Sequence, residues 1–65
     1  MKILVNGEAS DVQAAYLSQA LQELGFHDTL VATALNGEFV PRNQRAVSPL
    51  AEGDAVEILA PMEGG

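Results

Sequence analysis

The sequence predicts an α+β domain: a mixed sheet of four to five strands packed on one main helix, followed by a flexible tail. Three observations predict it. Short apolar, β-branched runs recur along the chain and carry buried-type doublets near both ends, Ile3 with Val5 and Val56 with Ile58. Two Asn-Gly pairs, Asn6-Gly7 and Asn36-Gly37, interrupt such runs with hairpin turn signals. One stretch carries apolar residues at helical spacing: Leu17, Ala20, Leu21 and Leu24. A helix with one apolar stripe and a sheet with one apolar face bury each other in two layers.

The elements follow in order. Met1–Asn6 reads as a strand, with Ile3 and Val5 on one face and Lys2 and Leu4 on the other. Lys2 marks the second face as wetter, so Leu4 is a candidate exposed apolar residue. Residues Glu8–Val12 are the return strand of a hairpin. The helix start is ambiguous by local rules. Ser10-Asp11-Val12-Gln13 reads as a capping box, which would start the helix near Asp11 and erase the second strand. A start near Tyr16 keeps that strand, and the fold argument favours it, giving a helix over Tyr16–Leu24. Gly25 stands where a C-terminal cap belongs. Leu30–Asn36 is the next strand, and Glu38-Phe39-Val40 returns from it until Pro41, which donates no ladder hydrogen bond. Arg42–Leu50 reads as irregular, with a turn at Ser48-Pro49-Leu50. Ala55–Ala60 is the last strand, with Val56 and Ile58 on one face and Glu57 and Leu59 on the other. The helix lies between the first and last strands in sequence, so these two are expected to be adjacent, parallel and central.

Composition narrows the function. At 65 residues there is room for one domain, expected over residues 1–60 with a tail over 61–65. Apolar residues are 48% and charged residues 18%, a globular balance. There is no cysteine, hence no disulfide, thiolate metal site or cysteine nucleophile, and His27 alone builds no metal centre. Nine acids against three bases give a net charge of -6, which disfavours nucleic acid and anionic membranes and suits a basic protein surface. No signal segment or long apolar run is present, so a cytoplasmic location is expected. A catalytic pocket needs walls that so short a chain does not supply, so a carrier or binding module is the better expectation.

The Gly64-Gly65 ending asks for an explanation. Glycine loses the most backbone entropy on ordering and adds nothing to a core. A frayed end is the plain reading. The functional reading is that residues without side chains pass somewhere narrow. Extended, Pro61 to Gly65 spans roughly 16–18 Å, enough to carry a terminal carboxylate into a partner's active site. A carboxylate becomes an electrophile once adenylated, and the chain has no glycine-rich phosphate loop, so a partner would bind the ATP. With no cysteine, carried sulfur would sit on the C-terminus as a thiocarboxylate.

Four segments carry a resemblance: Met1-Lys2-Ile3-Leu4-Val5-Asn6-Gly7-Glu8, Ala34-Leu35-Asn36-Gly37-Glu38-Phe39-Val40-Pro41-Arg42, Leu50-Ala51-Glu52-Gly53-Asp54-Ala55-Val56-Glu57-Ile58, and Gly64-Gly65. Together they resemble the ubiquitin-like β-grasp superfamily and, within it, the thiamine-biosynthesis sulfur carriers (ThiS). The resemblance spans the whole chain. It implies that Gly65 is adenylated by a ubiquitin-activating-type enzyme (ThiF-like) and converted to a thiocarboxylate with sulfur from a donor such as a cysteine desulfurase system. Thiazole synthase (ThiG-like) would then accept the sulfur. It also implies that the chain is not an enzyme and binds no cofactor or metal. The small subunit of molybdopterin synthase, a ubiquitin-like protein modifier and a plain binding module with an incidental Gly-Gly end are the other readings. The family usually places a Thr or Ser cap before the helix; here Tyr16 stands near that position.

Candidate site residues follow. Gly65 is the sulfur attachment point, with Gly64, Glu63 and Met62 as the tail. Leu59 is expected to be exposed and to contact the adenylating enzyme, with Leu4 near it on the same face as a small apolar patch. Arg42 and Arg45 read as solvated surface charge, with a partner contact as the other reading. Glu52, Asp54, Glu57 and Glu63 gather acid toward the tail and are expected either to keep the chain soluble or to steer it to a basic groove.

Overall fold

Both Asn-Gly pairs fold as predicted, into two-residue turns. Asn6 and Gly7 have φ of 51° and 85°, and Asn36 and Gly37 have 52° and 86°. Positive φ at both central residues is what joins twisted antiparallel strands without splaying them. The turns belong to a computed structural model that describes residues 1–27 and 30–60. In it β1 (Lys2–Val5) and β2 (Glu8–Asp11) form the first hairpin, and β3 (Ala32–Leu35) and β4 (Glu38–Val40) the second.

The last strand, β5 (Ala55–Leu59), lies between the hairpins, giving the order β2-β1-β5-β3-β4. It runs parallel to β1, with Leu4 beside Ala55 and Val5 beside Val56, and antiparallel to β3, with Leu59 beside Ala32. The expected central parallel pair is present, and the sheet is mixed.

The helix α1 spans Leu17–Glu23 with Tyr16 as N-cap and Leu24 as C-cap. It starts at the later of the two expected positions, because Asp11 is already paired with Lys2 in the sheet. No Ser or Thr precedes the helix as its cap, and acceptors inside the helix instead bond the link that leads into it. Gln19 Oε1 accepts the backbone N–H groups of Ala15 (3.1 Å) and Tyr16 (3.2 Å). The Glu23 carboxylate accepts those of Gln13, at 2.9 and 3.0 Å, and Ala14, at 3.1 Å. These bonds hold the link from β2 in a non-helical path. Leu17 N–H, one of the donors that a helix start leaves unpaired, is taken by Ser48 O at 2.9 Å. At the other end Phe26 N–H reaches Leu21 O and Gly25 N–H reaches Gln22 O, the paired closure of a Schellman motif.

The helix stripe meets the sheet as predicted. Ile3, Val56 and Ile58 from the sheet pack with Leu17, Ala20 and Leu21, and Val12, Ala14, Val40 and Leu50 complete the buried cluster. Two expectations change. Residues Arg42–Val47, read as irregular, form a 3₁₀ helix. Arg45, read as solvated, is only 3% exposed. Its Nε donates to Thr33 Oγ1 at 3.0 Å and a terminal nitrogen donates to Val31 O at 2.6 Å. Thr33 Oγ1 in turn donates to Val40 O at 2.9 Å. A buried charge persists where its donors are satisfied, and here Arg45 fastens the 3₁₀ helix under the β3–β4 hairpin.

Candidate functional site: the open face of the sheet

The period of two sends Ile3, Thr33, Val40, Val56 and Ile58 to the helix side, where all five are buried. The same period sends Lys2, Leu4, Ala9, Asp11, Ala32, Ala34, Phe39, Ala55, Glu57 and Leu59 to the other face, which no element among the described residues covers. Leu59 is 70% exposed and Phe39 69%. The register explains how they meet. Leu59 lies beside Ala32, while Glu57, Ala34 and Phe39 form the next row across β5, β3 and β4. The two alanines are a low floor and the larger side chains its rim. The result is a depression of about 100 Å³ lined by Ala32, Thr33, Ala34, Phe39, Glu57 and Leu59.

Leu59 is exposed as expected, and so is Leu4, at 41%. They share the face but do not adjoin. Leu4 stands beside Ala55, four residues before Leu59 on β5, which is about 13 Å along the strand. The neighbour of Leu59 across the depression is Phe39, which sequence reasoning did not single out. Its signal was available: in Glu38-Phe39-Val40, burial of Val40 turns Phe39 outward.

The acids are also placed differently from the expectation. Asp54 Oδ2 accepts Ala51 N–H at 2.8 Å and Glu52 Oε1 accepts Lys2 N–H at 3.1 Å. Both therefore serve the turn at the start of β5, the end far from Leu59. Among the described ones of these acids, Glu57 alone borders the depression. Met62, Glu63, Gly64 and Gly65 lie outside the described residues, as does Asp28. Among the described residues no group of three or more His, Asp or Glu side chains could hold a metal ion. None of their helices is long and apolar enough to cross a membrane.

An exposed apolar face at the end of the strand that leads into Gly64-Gly65 suits a protein handed to other proteins. The comparisons point the same way. The model of the ThiS family matches residues 3–65. The Sulfur carrier protein ThiS of Thermus thermophilus is 35% identical over 97% of this chain and 98% of its own length. A thiazole synthase of Paramagnetospirillum magneticum is 38% identical over all of this chain, which spans only 20% of that longer protein. The crystal structure of the thiamine biosynthesis protein ThiS from Geobacter metallireducens superposes with a TM-score of 0.82 at 35% identity, covering 100% of both chains. The solution structure of a thiamine biosynthesis protein from the same organism gives the same score over 88% of its chain. The chain is a ubiquitin-like β-grasp protein and belongs to the ThiS family of thiamine-biosynthesis sulfur carriers.

Proposed function

We propose that this chain is a cosubstrate rather than an enzyme, and that the α-carboxylate of Gly65 is its reacting group. A carboxylate oxygen attacks the α-phosphate of ATP held by a ubiquitin-activating-type partner, and pyrophosphate leaves. A persulfide fed by a cysteine desulfurase system then displaces AMP to give an acyl disulfide, and a thiol cleaves its S–S bond, itself becoming a disulfide and leaving the thiocarboxylate. Thiazole synthase takes the sulfur, and an oxygen from the acceptor or from water takes its place on the carbonyl, restoring the carboxylate. The chain's own part is to present a terminus without side chains, which exposes the carbonyl on both faces and passes a narrow channel. The depression bounded by Leu59 and Phe39 docks on the adenylating enzyme, with Leu4 a further apolar contact on that face. ATP and reduced sulfur are cytoplasmic supplies, and the carrier belongs there.

The observation that carries this reading is the family match over residues 3–65, which includes Gly64-Gly65. The thiazole synthase relative adds support for the acceptor. It holds a stretch similar to all of this chain within one longer polypeptide, and covalent linkage raises the effective concentration of parts that work together. The test is intact mass spectrometry after incubation with ATP, a sulfur donor and candidate adenylating enzymes. The expected result is a mass gain equal to one oxygen exchanged for sulfur, lost when Gly65 is deleted. A gain that survives the deletion sinks the assignment of Gly65.

A further inference from the structure

The two Asn-Gly turns share a second feature that turning the chain does not require. Each asparagine lies against β5 and gives one of its residues both a donor and an acceptor: Asn6 supplies both from its side chain, Asn36 the acceptor from its side chain and the donor from its main chain. Asn36 N–H donates to Ala55 O at 2.7 Å, its Oδ1 accepts Ala55 N–H at 2.9 Å, and its Nδ2 donates to Asp54 Oδ1 at 3.1 Å. Asn6 acts at the other end. Its Oδ1 accepts Ile58 N–H at 2.8 Å and its Nδ2 donates to Ile58 O at 3.1 Å. One clamp therefore holds the start of β5 and one holds its end.

The two ends are not equally supported otherwise. The β1–β5 ladder closes with Asn6 N–H on Val56 O at 2.9 Å, and the chain then turns away toward β2. Beyond Val56 no β1 backbone remains to pair with β5, and the Asn6 amide stands in for it. Without that amide, Ile58 and Leu59 would be held from the β3 side alone, where they lie beside Thr33 and Ala32. Residues 60–65 follow directly in the sequence.

We propose that Asn6 is a positioning residue for the tail: by clamping Ile58 it fixes where and in which direction β5 releases the chain toward Gly65. The proposal rests on the carrier reading above, in which the Gly65 carboxylate must reach an α-phosphate. A fixed exit leaves fewer residues to order when that happens, so a larger share of docked carriers is in reach of the phosphorus. Docking itself uses the depression held from the β3 side and is separate from the clamp.

The two clamps supply their own control. Asn6→Gly and Asn36→Gly each remove a similar side-chain pairing while keeping a residue that accepts positive φ. Pyrophosphate release is followed with ATP and the adenylating enzyme that loads the wild-type chain. For Asn6→Gly the rate at saturating carrier falls roughly three- to tenfold, while the half-saturating carrier concentration stays within about twofold. For Asn36→Gly both stay within about twofold of wild type, although urea unfolding shows a similar loss of stability. Amide hydrogen exchange at Ile58 accelerates in Asn6→Gly only. The proposal is overturned if Asn6→Gly turns over like wild type, or if the two variants slow together in step with their lost stability. If Asn6→Gly does not fold, Asn6→Asp takes its place, keeping the acceptor while setting an oxygen against Ile58 O, with the same outcomes read. A wild-type chain that no adenylating enzyme loads fails earlier and removes the carrier reading itself.

Discussion

The two faces of this sheet come from the same five strands and have opposite fates. On the helix side the residues are branched and large, Ile3, Val56 and Ile58, and they are sealed by Leu17 and Leu21. On the other side four alanines, Ala9, Ala32, Ala34 and Ala55, lie among Leu4, Phe39 and Leu59. Lys2, Asp11 and Glu57 stand on the open face, yet most residues on both faces are apolar, so hydrophobicity alone does not account for the difference. Shape does. The buried face is made of side chains that fill space against a fixed partner, and core density requires that. The open face is a low floor with an apolar rim, a shape that leaves room for something supplied from outside. A monomer that needed only to fold would gain by placing more polar residues there.

The sharpest way to break this contrast is to cut equal pieces from each side. Leu21 is fully buried. Leu21→Ala is expected to cost about 2–5 kcal/mol. Small domains hold about 0.05–0.15 kcal/mol per residue, so much of the native population would be lost. Leu59→Ala is expected to cost less than about 0.5 kcal/mol in the same urea titration. Similar losses for the two would mean that Leu59 is a core residue and the open face is not open. Arg45 gives the next largest effect. Arg45→Met keeps the apolar stem but strips buried Thr33 Oγ1 and part-buried Val31 O of a donor, a loss of about 1–3 kcal/mol. Once folded at low temperature, this variant should be adenylated at the wild-type rate, because Arg45 lies on the helix side. A slowed reaction in fully folded protein would move Arg45 back among the partner contacts.

These residues also show what the sequence discloses and what it withholds. The Asn-Gly pairs, the Leu17–Leu24 stripe and the Ile3/Val5 and Val56/Ile58 doublets are local patterns, and each set its element correctly. What is non-local was lost. Arg45 looks like any surface base until the 3₁₀ helix folds it against Thr33, whose sequence separation from it is 12. The order of the link before α1 was not legible either, because its N–H groups are taken by Gln19 and Glu23 inside the helix, reaching backwards. Leu59 was legible because Glu57 shares its face on one strand. Its pairing with Phe39 was not, because that depends on the order β5-β3-β4 and on register across it. The same register separates Leu4 from Leu59, which alternation alone had put together.

A charge on the open face sharpens the contrast from the functional side. Leu59→Asp is expected to lower kcat/KM for adenylation about tenfold, equivalent to about 1.4 kcal/mol, since a central apolar contact becomes a buried unpaired carboxylate in the complex. Phe39→Asp should act in the same direction, and Leu4→Asp should act less because it lies about 13 Å along the strand from Leu59. Thermal unfolding should shift little in all three. A Leu59→Asp chain with unchanged adenylation kinetics would remove the depression from the docking site, however well the fold survived.

The smallest effect concerns how the partner arrives rather than how it is held. Glu57 is exposed, borders the depression and belongs to a chain carrying nine acids against three bases. Its row neighbours, Ala34 and Phe39, are uncharged, so its field on that part of the face is not cancelled by an adjoining base. Complementary charge raises the encounter rate more than it lengthens the life of a complex. Glu57→Gln should therefore slow association with the adenylating enzyme about twofold at low ionic strength and leave dissociation unchanged. The difference should shrink toward zero above about 0.15 M salt, where screening falls to about 8 Å. Stopped-flow association measured across a salt series reads both arms. A twofold loss that persists at high salt would mean that Glu57 makes a bonded contact in the complex. An association rate indifferent to salt in both chains would mean that the acidic character of this protein serves solubility and plays no part in recognition.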